Sequence, residues 1–539
     1  MDILDTLQVG DGVGFDVRIA HPDYYEKLPI WDKCRDCKAG EETVKHKGRL
    51  YLPKLNGQDN EEYEVYKDRA QFFNGTGRTV EAYLGMIFRK LPSYVFLKDG
   101  VASDEFNEFM QNKFLNSITY DGMDFDTFLH MVTEEIITTN RVGILIDMPR
   151  LITERALTLA DYENNNIHPI VSCYTAENII NWHTEVVNGQ IVPVFFVLHE
   201  LKSRIEPNSL KHEPVNVYRI LYLENWSDVS NRRYKVIEIT DELNKSPVVT
   251  SIDYPLMHGK YIPFIPFFTL TDRGLDYRKI YDPMINDLVN VNIGLYRNSA
   301  DHENEIHWTG VKTVVFPDWD VKSHGQPQVG GALAAPKDCV PVLLEPRADS
   351  ALDNAMRNKM EQMSILGAER ISQKGRYLPS AETARITAST ESSVLSNMIT
   401  YLSLNMTKVL QLMVAWATDF VTEFQGAEIT AMVQINSDLD ADLLSFADFR
   451  NFMDVLLGGG VSWDTYFSAL QKREVYPEGW TAEKEWDAIL KTRAKLMDHS
   501  FIEDVIDNDS QSGTQTASGG RGADVISRPI GEKTRVRIS

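Results

Sequence analysis

Four cysteines in 539 residues (Cys34, Cys37, Cys173 and Cys339) are too few for a disulfide framework. Cys34 and Cys37 form one C-x-x-C inside WDKCRDCKAGEETVK, a helix-like stretch. No second Cys or His pair follows at zinc spacing, so two reduced cysteines on one helix turn is the reading. Long apolar runs are also missing. The longest, Ile191–Leu198 and Tyr261–Leu270, are strand-length and carry prolines, well short of the ~20 residues a membrane span needs. The N-terminus MDILDTLQVGDGVG has neither a basic leader nor an apolar secretory core, so a cytosolic location is expected. Basic residues are scarce: 55 Lys and Arg stand against 78 Asp and Glu, a formal charge of −23. That excludes a protein gripping a nucleic-acid backbone over much of its surface. Solubility alone is the plain reading of such an excess; it is also compatible with a surface along which DNA slides, because like charge removes the counterion-release gain that holds DNA in place.

Catalytic motifs are missing as well. His302, Glu303 and His307 (HENEIH) invite a zinc-hydrolase reading, but that chemistry needs histidines four apart on one helix face. Here they are five apart, with Ile306 where the second ligand belongs. NSDLDAD (Asn436–Asp442) lacks the turn glycine and closing Glu of a calcium loop, so an acidic helix N-terminus explains it better. FNGTGRT (Phe73–Thr79) has no Gly-Lys-Ser/Thr ending and follows no strand, so it is no phosphate loop. There is no Gly-x-Ser-x-Gly elbow, and His21, His168, His258 and His324 sit beside Pro or Gly in expected loops. No catalytic constellation and no cofactor are expected.

What is present is a chain long enough for roughly three domains, with ordinary globular composition. The first ~145 residues read as mainly helical, with Tyr63, Tyr66, Phe73, Val80, Leu84 and Ile87 at helical intervals, and then a strand at Val142–Asp147 after a turn at Asn140 and Arg141. From Pro169 to Phe268 short alternating runs separated by Gly, Asn and Pro predict strands, hence an α+β body, mainly helical overall. Val394, Leu395, Met398, Ile399, Leu402, Val409, Met413, Phe420 and Phe424 keep one helical face for about forty residues. EITAMVQIN reads as a short strand. Beyond it, Gly458–Gly460 ends one helix and Ser462 is placed to cap the next. The Ser/Gly/Thr-rich end is expected to be mobile until its basic residues Lys533, Arg535 and Arg537 meet a partner.

The most telling stretch runs from about residue 280 to 371. Tyr281, Ile285, Leu288, Val289, Ile293 and Tyr296 fall at helical spacing, as do Leu352, Met356, Met360, Met363 and Leu366. Between them lie short β-type runs broken by Pro and Gly. A helix that leaves a body, makes a β knob and returns cannot bury its apolar stripe alone. The simplest cover is the same hairpin of neighbouring subunits, which points to a ring.

That order of parts resembles the portal proteins of tailed bacteriophages. Local stretches similar to one portal-like family include HPDYYEKLPIWDKCRDCKAGEETVKHKGRLYLPKL, EEYEVYKDRAQFFNGTGRTVEAYLGMIFRKLP, NRVGILIDMPR, YTAENIINW and MEQMSILGAERI with AETARITASTESSVLS. The similarity covers residues 20 to about 500. It implies a dodecameric homo-oligomeric ring at one capsid vertex of the virion, assembled in the host cytoplasm among major capsid and scaffolding proteins. Such a ring docks the terminase large subunit and then the head–tail adaptor. It passes double-stranded DNA without sequence preference and hydrolyses nothing itself. Mapped onto this chain, the resemblance implies a wing over 1–275, stem helix 1 over 276–307 and a β clip over 308–346. Stem helix 2 follows over 347–371, a channel loop over 372–390, a long wing helix over 391–427, a crown over 428–507 and a tail over 508–539. Asp301, Glu303, Glu305, Asp353, Arg357, Lys359, Glu361 and Arg370 become candidates for the channel wall or subunit contacts. Lys374, Arg376 and Arg385, around the loop, become candidates for light contact with passing DNA. Ordinary solvated or paired charges remain the plain alternative for each. Two other readings stay open: another head–tail connector or minor capsid protein, and a metal-dependent hydrolase using His302 and Glu303.

Overall fold

The computed structural model describes residues 16–149, 168–205, 210–241, 247–310, 313–315, 342–344, 350–368, 381–417 and 428–437 of a first unit, Met1–Leu439. It also describes parts of 453–497 in a second unit, Asp440–Ser539. Among the described residues no helix is long and apolar enough to cross a membrane.

The helices of the first unit start where the sequence supplies caps. α1 (Pro22–Ala39) begins at His21, whose Nδ1 accepts from the Asp23 amide at 3.2 Å. Pro22 occupies the first helical turn, where a missing N–H costs nothing. The His21 ring stacks on Trp182 at 4.1 Å, and the Arg141 guanidinium lies over that ring at 3.7 Å. Burial pulls this guanidinium down to about 9. Cys34 and Cys37 are fully buried free thiols on α1, pushed up to about 12 by burial. α2 (Glu41–Lys47) follows directly. α3 (Asn60–Arg69) opens with a capping box in which the Glu62 amide donates to Asp59 at 2.8 Å and the Asp59 amide returns to Glu62 at 3.1 Å. Asn74 caps α4 (Gly75–Ile87), and the strand β1 (Ser93–Lys98) comes next. Ser103 caps α5 (Asp104–Phe114) and Asp124 caps α6 (Phe125–Thr139). α6 stops at the expected turn. Asn140 is left-handed (φ 56) and its side chain donates to the Asp282 carbonyl at 2.9 Å while accepting from the Asp272 amide at 2.8 Å.

β2 (Val142–Asp147) and β3 (Ile170–Thr175) begin the strand-rich part. β4 (Ile179–Val187), β5 (Gln190–Ile205), β6 (His212–Glu224), β7 (Arg233–Asp241) and β8 (Val248–Asp253) form an antiparallel five-stranded meander. Alternation splits its side chains between two cores. Phe196, Leu198, Leu221, Leu223 and Val236 join the main core, whereas Val197, Ile220, Ile237 and Ile239 pack with Val17 on the other face. A two-residue ladder, β9 (Leu256–Met257) with β10 (Lys260–Tyr261), precedes β11 (Phe267–Thr271) and β12 (Gly274–Leu275), which extend β2 and β3 into a four-stranded sheet ordered β12-β11-β2-β3.

α7 (Asn286–Gly310) follows, then β13 (Thr313–Val315) paired antiparallel with β14 (Val342–Leu344), then α8 (Ser350–Met363). Both helices are shorter than expected. Residues 276–285 are not helical, and after Met363 the chain makes one wide turn, Ser364–Ala368, with Gly367 at φ 125. α9 (Ala381–Ala417) starts ten residues earlier than 391, so the expected 372–390 loop is helical from Ala381 onward. Its described buried face, including Leu395, Ile399, Leu402, Met406, Val409 and Met413, sits in the main core, and Trp416 Nε1 donates to the Leu256 carbonyl at 3.1 Å. Phe420 and Phe424 lie outside the described residues.

β15 (Ile429–Gln434) corrects the expected crown boundary at 428. It pairs with β1 from Ser93↔Gln434 to Lys98↔Ile429 and packs on α9, so it belongs to the first unit. Side chains close both edges of this ribbon. Asn107 accepts from the Phe96 amide at 2.6 Å, Thr407 from Val433 at 2.9 Å and Ser403 from Ile435 at 3.1 Å. In the second unit, Ser462 caps α10 (Trp463–Lys472) as expected. α11 (Ala482–Met497) packs against it through Trp463 and Trp486, whose ring centroids are 5.1 Å apart.

Candidate channel and subunit-contact residues

The helix pair is antiparallel. His302 of α7 meets Asp353 of α8 at 2.9 Å, and one end further on Lys359 crosses over Gly294, where an added Cβ would come within 3.0 Å of Lys359 Cε. Leu288, Leu295 and Met363 form a small buried cluster between the helices, flanked by Val291 and Met356.

The expectation that the α7 stripe stays open until neighbouring copies cover it is overturned. Ile285, Leu288, Val289, Ile293 and Tyr296 are all buried within the single chain, Val289 completely. α7 packs on α1, α3 and α4 as well as α8, and these helices supply the cover. The Tyr296 ring meets Phe72 edge-on at 5.8 Å. Polar ties continue along the helix: Lys33 Nζ donates to Asn290 at 2.6 Å, Arg297 Nε to the Tyr51 carbonyl at 2.7 Å and the Gln71 amide to Ser299 at 3.0 Å. The reason is compositional. The aromatic helical stretch from Tyr63 to Ile87, read only as further body, supplies the second half of the contact. α8 differs: Met363 is buried and Leu352 and Met356 are half-buried, but Met360 is exposed, as are Ile365 and Leu366 in the turn that follows.

The candidate charges separate accordingly. Asp301 accepts a hydrogen bond from the Tyr66 hydroxyl at 2.6 Å, and this phenol is held well above its usual range, first by burial and then by Asp301. Asp301 is therefore an anchor between α7 and α3. Glu303 and Glu305 are half-buried. Asp353 is exposed and pairs with His302, so that imidazole faces a carboxylate of the returning helix. No group of three or more His, Cys, Asp or Glu side chains able to hold a metal occurs among the described residues. Lys359 is half-buried along α7, its ammonium lowered first by desolvation and then by Arg297. Arg357 and Glu361 point outward on α8. Arg370, Lys374 and Arg376 lie outside the described residues. Arg385 lies in α9, with a side chain that is not described.

Two glycines, Gly75 of FNGTGRT and Gly367, shape the hairpin's seat. A Cβ on Gly75 would meet Met363 Cε at 2.3 Å, so α8 is held against the start of α4 by the lack of a side chain there. A Cβ on Gly367 would meet the Tyr83 hydroxyl at 2.0 Å, and its φ of +125 already disfavours other residues. FNGTGRT is thus a packing surface for the hairpin. Its failure to match any phosphate loop was the available signal. Beside Gly75, Asn292 of α7 is buried, and neither amide atom has a hydrogen-bond partner among the described residues, which periodicity gave no hint of.

Comparison with known proteins places these elements in a wider set. A family model described as a domain of unknown function (DUF4055) matches residues 283–417, from the approach to α7 to the end of α9. No curated protein matches the chain. One chain of a solved structure titled "Neck of native GTA particle computed with C12 symmetry" aligns at 9% identity over 74% of this chain and 89% of that one, with a TM-score of 0.34. A second, "Neck of empty GTA particle computed with C6 symmetry", aligns at 8% identity over 75% and 91%, also at 0.34. Overlays this loose carry no weight for fold or function.

Proposed function

We propose that this chain is a subunit of a portal ring, the closed connector between head and tail of a phage-like particle, through which double-stranded DNA passes. One observation carries the reading: an α+β body holds an antiparallel helix pair joined through a two-stranded β ribbon, followed by a long helix packed in the core. This is the order of parts on which the resemblance to portal proteins rests. α7 is the inner, body-anchored stem helix, and α8 presents the exposed charges Asp353, Arg357 and Glu361 together with the exposed apolar Met360. The β13–β14 ribbon belongs to the clip that the packaging motor and later the tail adaptor grip. The strong negative charge of the chain keeps passing phosphates from sticking. The ring has no chemistry of its own; the motor hydrolyses the nucleotide.

The test is direct imaging of purified protein down its symmetry axis, with an ATPase assay on the same sample. The proposal expects closed rings with a central channel and no intrinsic hydrolysis. Monomers alone at every salt and protein concentration, or turnover abolished by a His302→Ala variant, would overturn it.

A further inference from the structure

Asn292 of α7 is 1% exposed, and neither its Oδ1 nor its Nδ2 has a hydrogen-bond partner among the described residues. Thr76, next to Gly75 in the chain, has a buried hydroxyl that is likewise unpartnered. A Cβ built on Gly75 would lie 3.3 Å from Asn292 Oδ1 and would overlap Met363 Cε. The Met363 methyl therefore fills the space that Gly75 leaves and shuts water from the amide. Buried polar groups are nearly always hydrogen-bonded, because sealing one off forfeits its bonds to water with nothing in return. Met363 is carried by α8, where its neighbours Glu361 and Gln362 face solvent, so lifting α8 opens the niche to water. The amide bears its cost only while α8 is seated.

What holds α8 down is modest. Its apolar contacts with α7 form a cluster of three buried residues, Leu288, Leu295 and Met363, flanked by Val291 and Met356 and separate from the main core. A polar tie, His302 with Asp353, lies toward the other end, and the Asp353 side chain is 61% exposed. Against these stands a second misfit. Lys359 lies across Gly294, and its ammonium is lowered first by desolvation and then by Arg297, so the charge resists the seat. After Met363 the chain enters the wide turn Ser364–Ala368, where Gly367 at φ 125 packs against Tyr83 and Thr79 of α4. That turn is a fixed pivot. α8 itself has 14 residues, a length marginal for a helix alone in water, so it loosens once it leaves α7.

We propose that α8 is a releasable strap with two states. In one, Met363 plugs the niche between Gly75 and Asn292; in the other, α8 has lifted from α7 and water reaches the Asn292 amide. α7 and the turn Ser364–Ala368 stay on the body in both. The seated state presents Met360, Arg357 and Glu361, whereas release uncovers Leu288, Val291 and Leu295 of α7. The inference goes beyond the ring reading and holds for a single chain.

Hydrogen exchange read by mass spectrometry on the full-length protein, at one low and fixed concentration, tests the strap by comparing peptides of α8 with peptides of α7. In wild type, α8 amides should exchange through a released state populated at about 0.1–10%, at least about tenfold faster than α7 amides from Leu288 to Ala300. Asn292→Leu nearly keeps the side-chain volume and removes the orphan amide, so α8 exchange should slow at least about tenfold. Met363→Ala should speed it by a similar factor. In that background the gain from Asn292→Leu should shrink to less than about threefold, because water already reaches the amide. Lys359→Met keeps the stem over Gly294 without the charge and should slow α8 about threefold. α8 and α7 exchanging at one rate in wild type overturns the strap. So does an Asn292→Leu protein, folded by circular dichroism, whose α8 exchanges as fast as wild type or faster, since the amide is then served inside the seat. Should Asn292→Leu not fold, Lys359→Met decides: slower α8 exchange supports the strap, and an unchanged or faster rate overturns it.

Discussion

α7 and α8 carry apolar stripes of the same spacing, yet the chain treats them differently. α7 is sealed by α1, α3, α4 and α8, whereas α8 holds on through Met356 and Met363 and leaves Met360 in solvent, as the turn after it leaves Ile365 and Leu366. A stripe at helical spacing says that one face seeks cover; it does not say what provides it. For α7 the cover lies some 220 residues earlier in the same chain, in the aromatic residues around Phe72 and Tyr66. On α8 Met360 stays uncovered, and there the hairpin has room for a partner.

The sharpest way to break the contrast is Val289→Asp. A carboxylate at a fully buried site with no partner should cost at least about 3 kcal/mol and leave little folded protein, read by thermal melting of the monomer. The equivalent insult on α8, Met360→Asp, should move folding stability by no more than ~0.5 kcal/mol. Equal losses at the two sites would erase the distinction between the helices.

Gly75→Ala is the next largest. Its new methyl group collides with Met363, so a loss of about 1–3 kcal/mol is expected, with partial recovery when Met363→Ala is added. Additive losses in that double-mutant cycle would show that α8 does not sit where the hairpin geometry puts it.

Acid provides a smaller lever. His21 caps α1 through a neutral Nδ1, and its folded pKa is lowered, chiefly by burial, with Arg141 and His183 adding and Asp23 opposing. The unfolded chain therefore takes up this proton first as pH falls. The stabilisation is complete above the unfolded value near 6.5 and is lost as pH drops through the lower folded value. Wild type should lose more melting temperature between pH 7.5 and pH 5 than His21→Asn, which keeps a capping acceptor with no charge to gain. Identical pH profiles would remove His21 from the account. Asp353→Asn should cost about 0.2–1 kcal/mol, since the Asp353 side of its contact with His302 is exposed to water and salt.

The sequence made some of this legible and hid the rest for definable reasons. Local chemistry spoke plainly: the Asn140 turn, the Ser462 cap and the β runs after Pro169 all depend on neighbours a few residues away. Non-local pairing did not. β15 reads as a strand, but nothing in EITAMVQIN names β1, more than 300 residues earlier, as its partner, and so the boundary at 428 was misplaced. The early start of α9 at Ala381 was missed because the apolar face becomes regular only from Val394 onward. Among the candidate charges, Asp301 looked like its neighbours until Tyr66 was seen bonded to it.

The most direct measurement is hydrogen exchange on the full-length protein, followed above and below the concentration at which it assembles. The account predicts that α7 amides from Leu288 to Ala300 stay equally protected throughout, while α8 loses protection on dilution. Loss of protection along α7 on dilution, or no change anywhere in the chain, would contradict it.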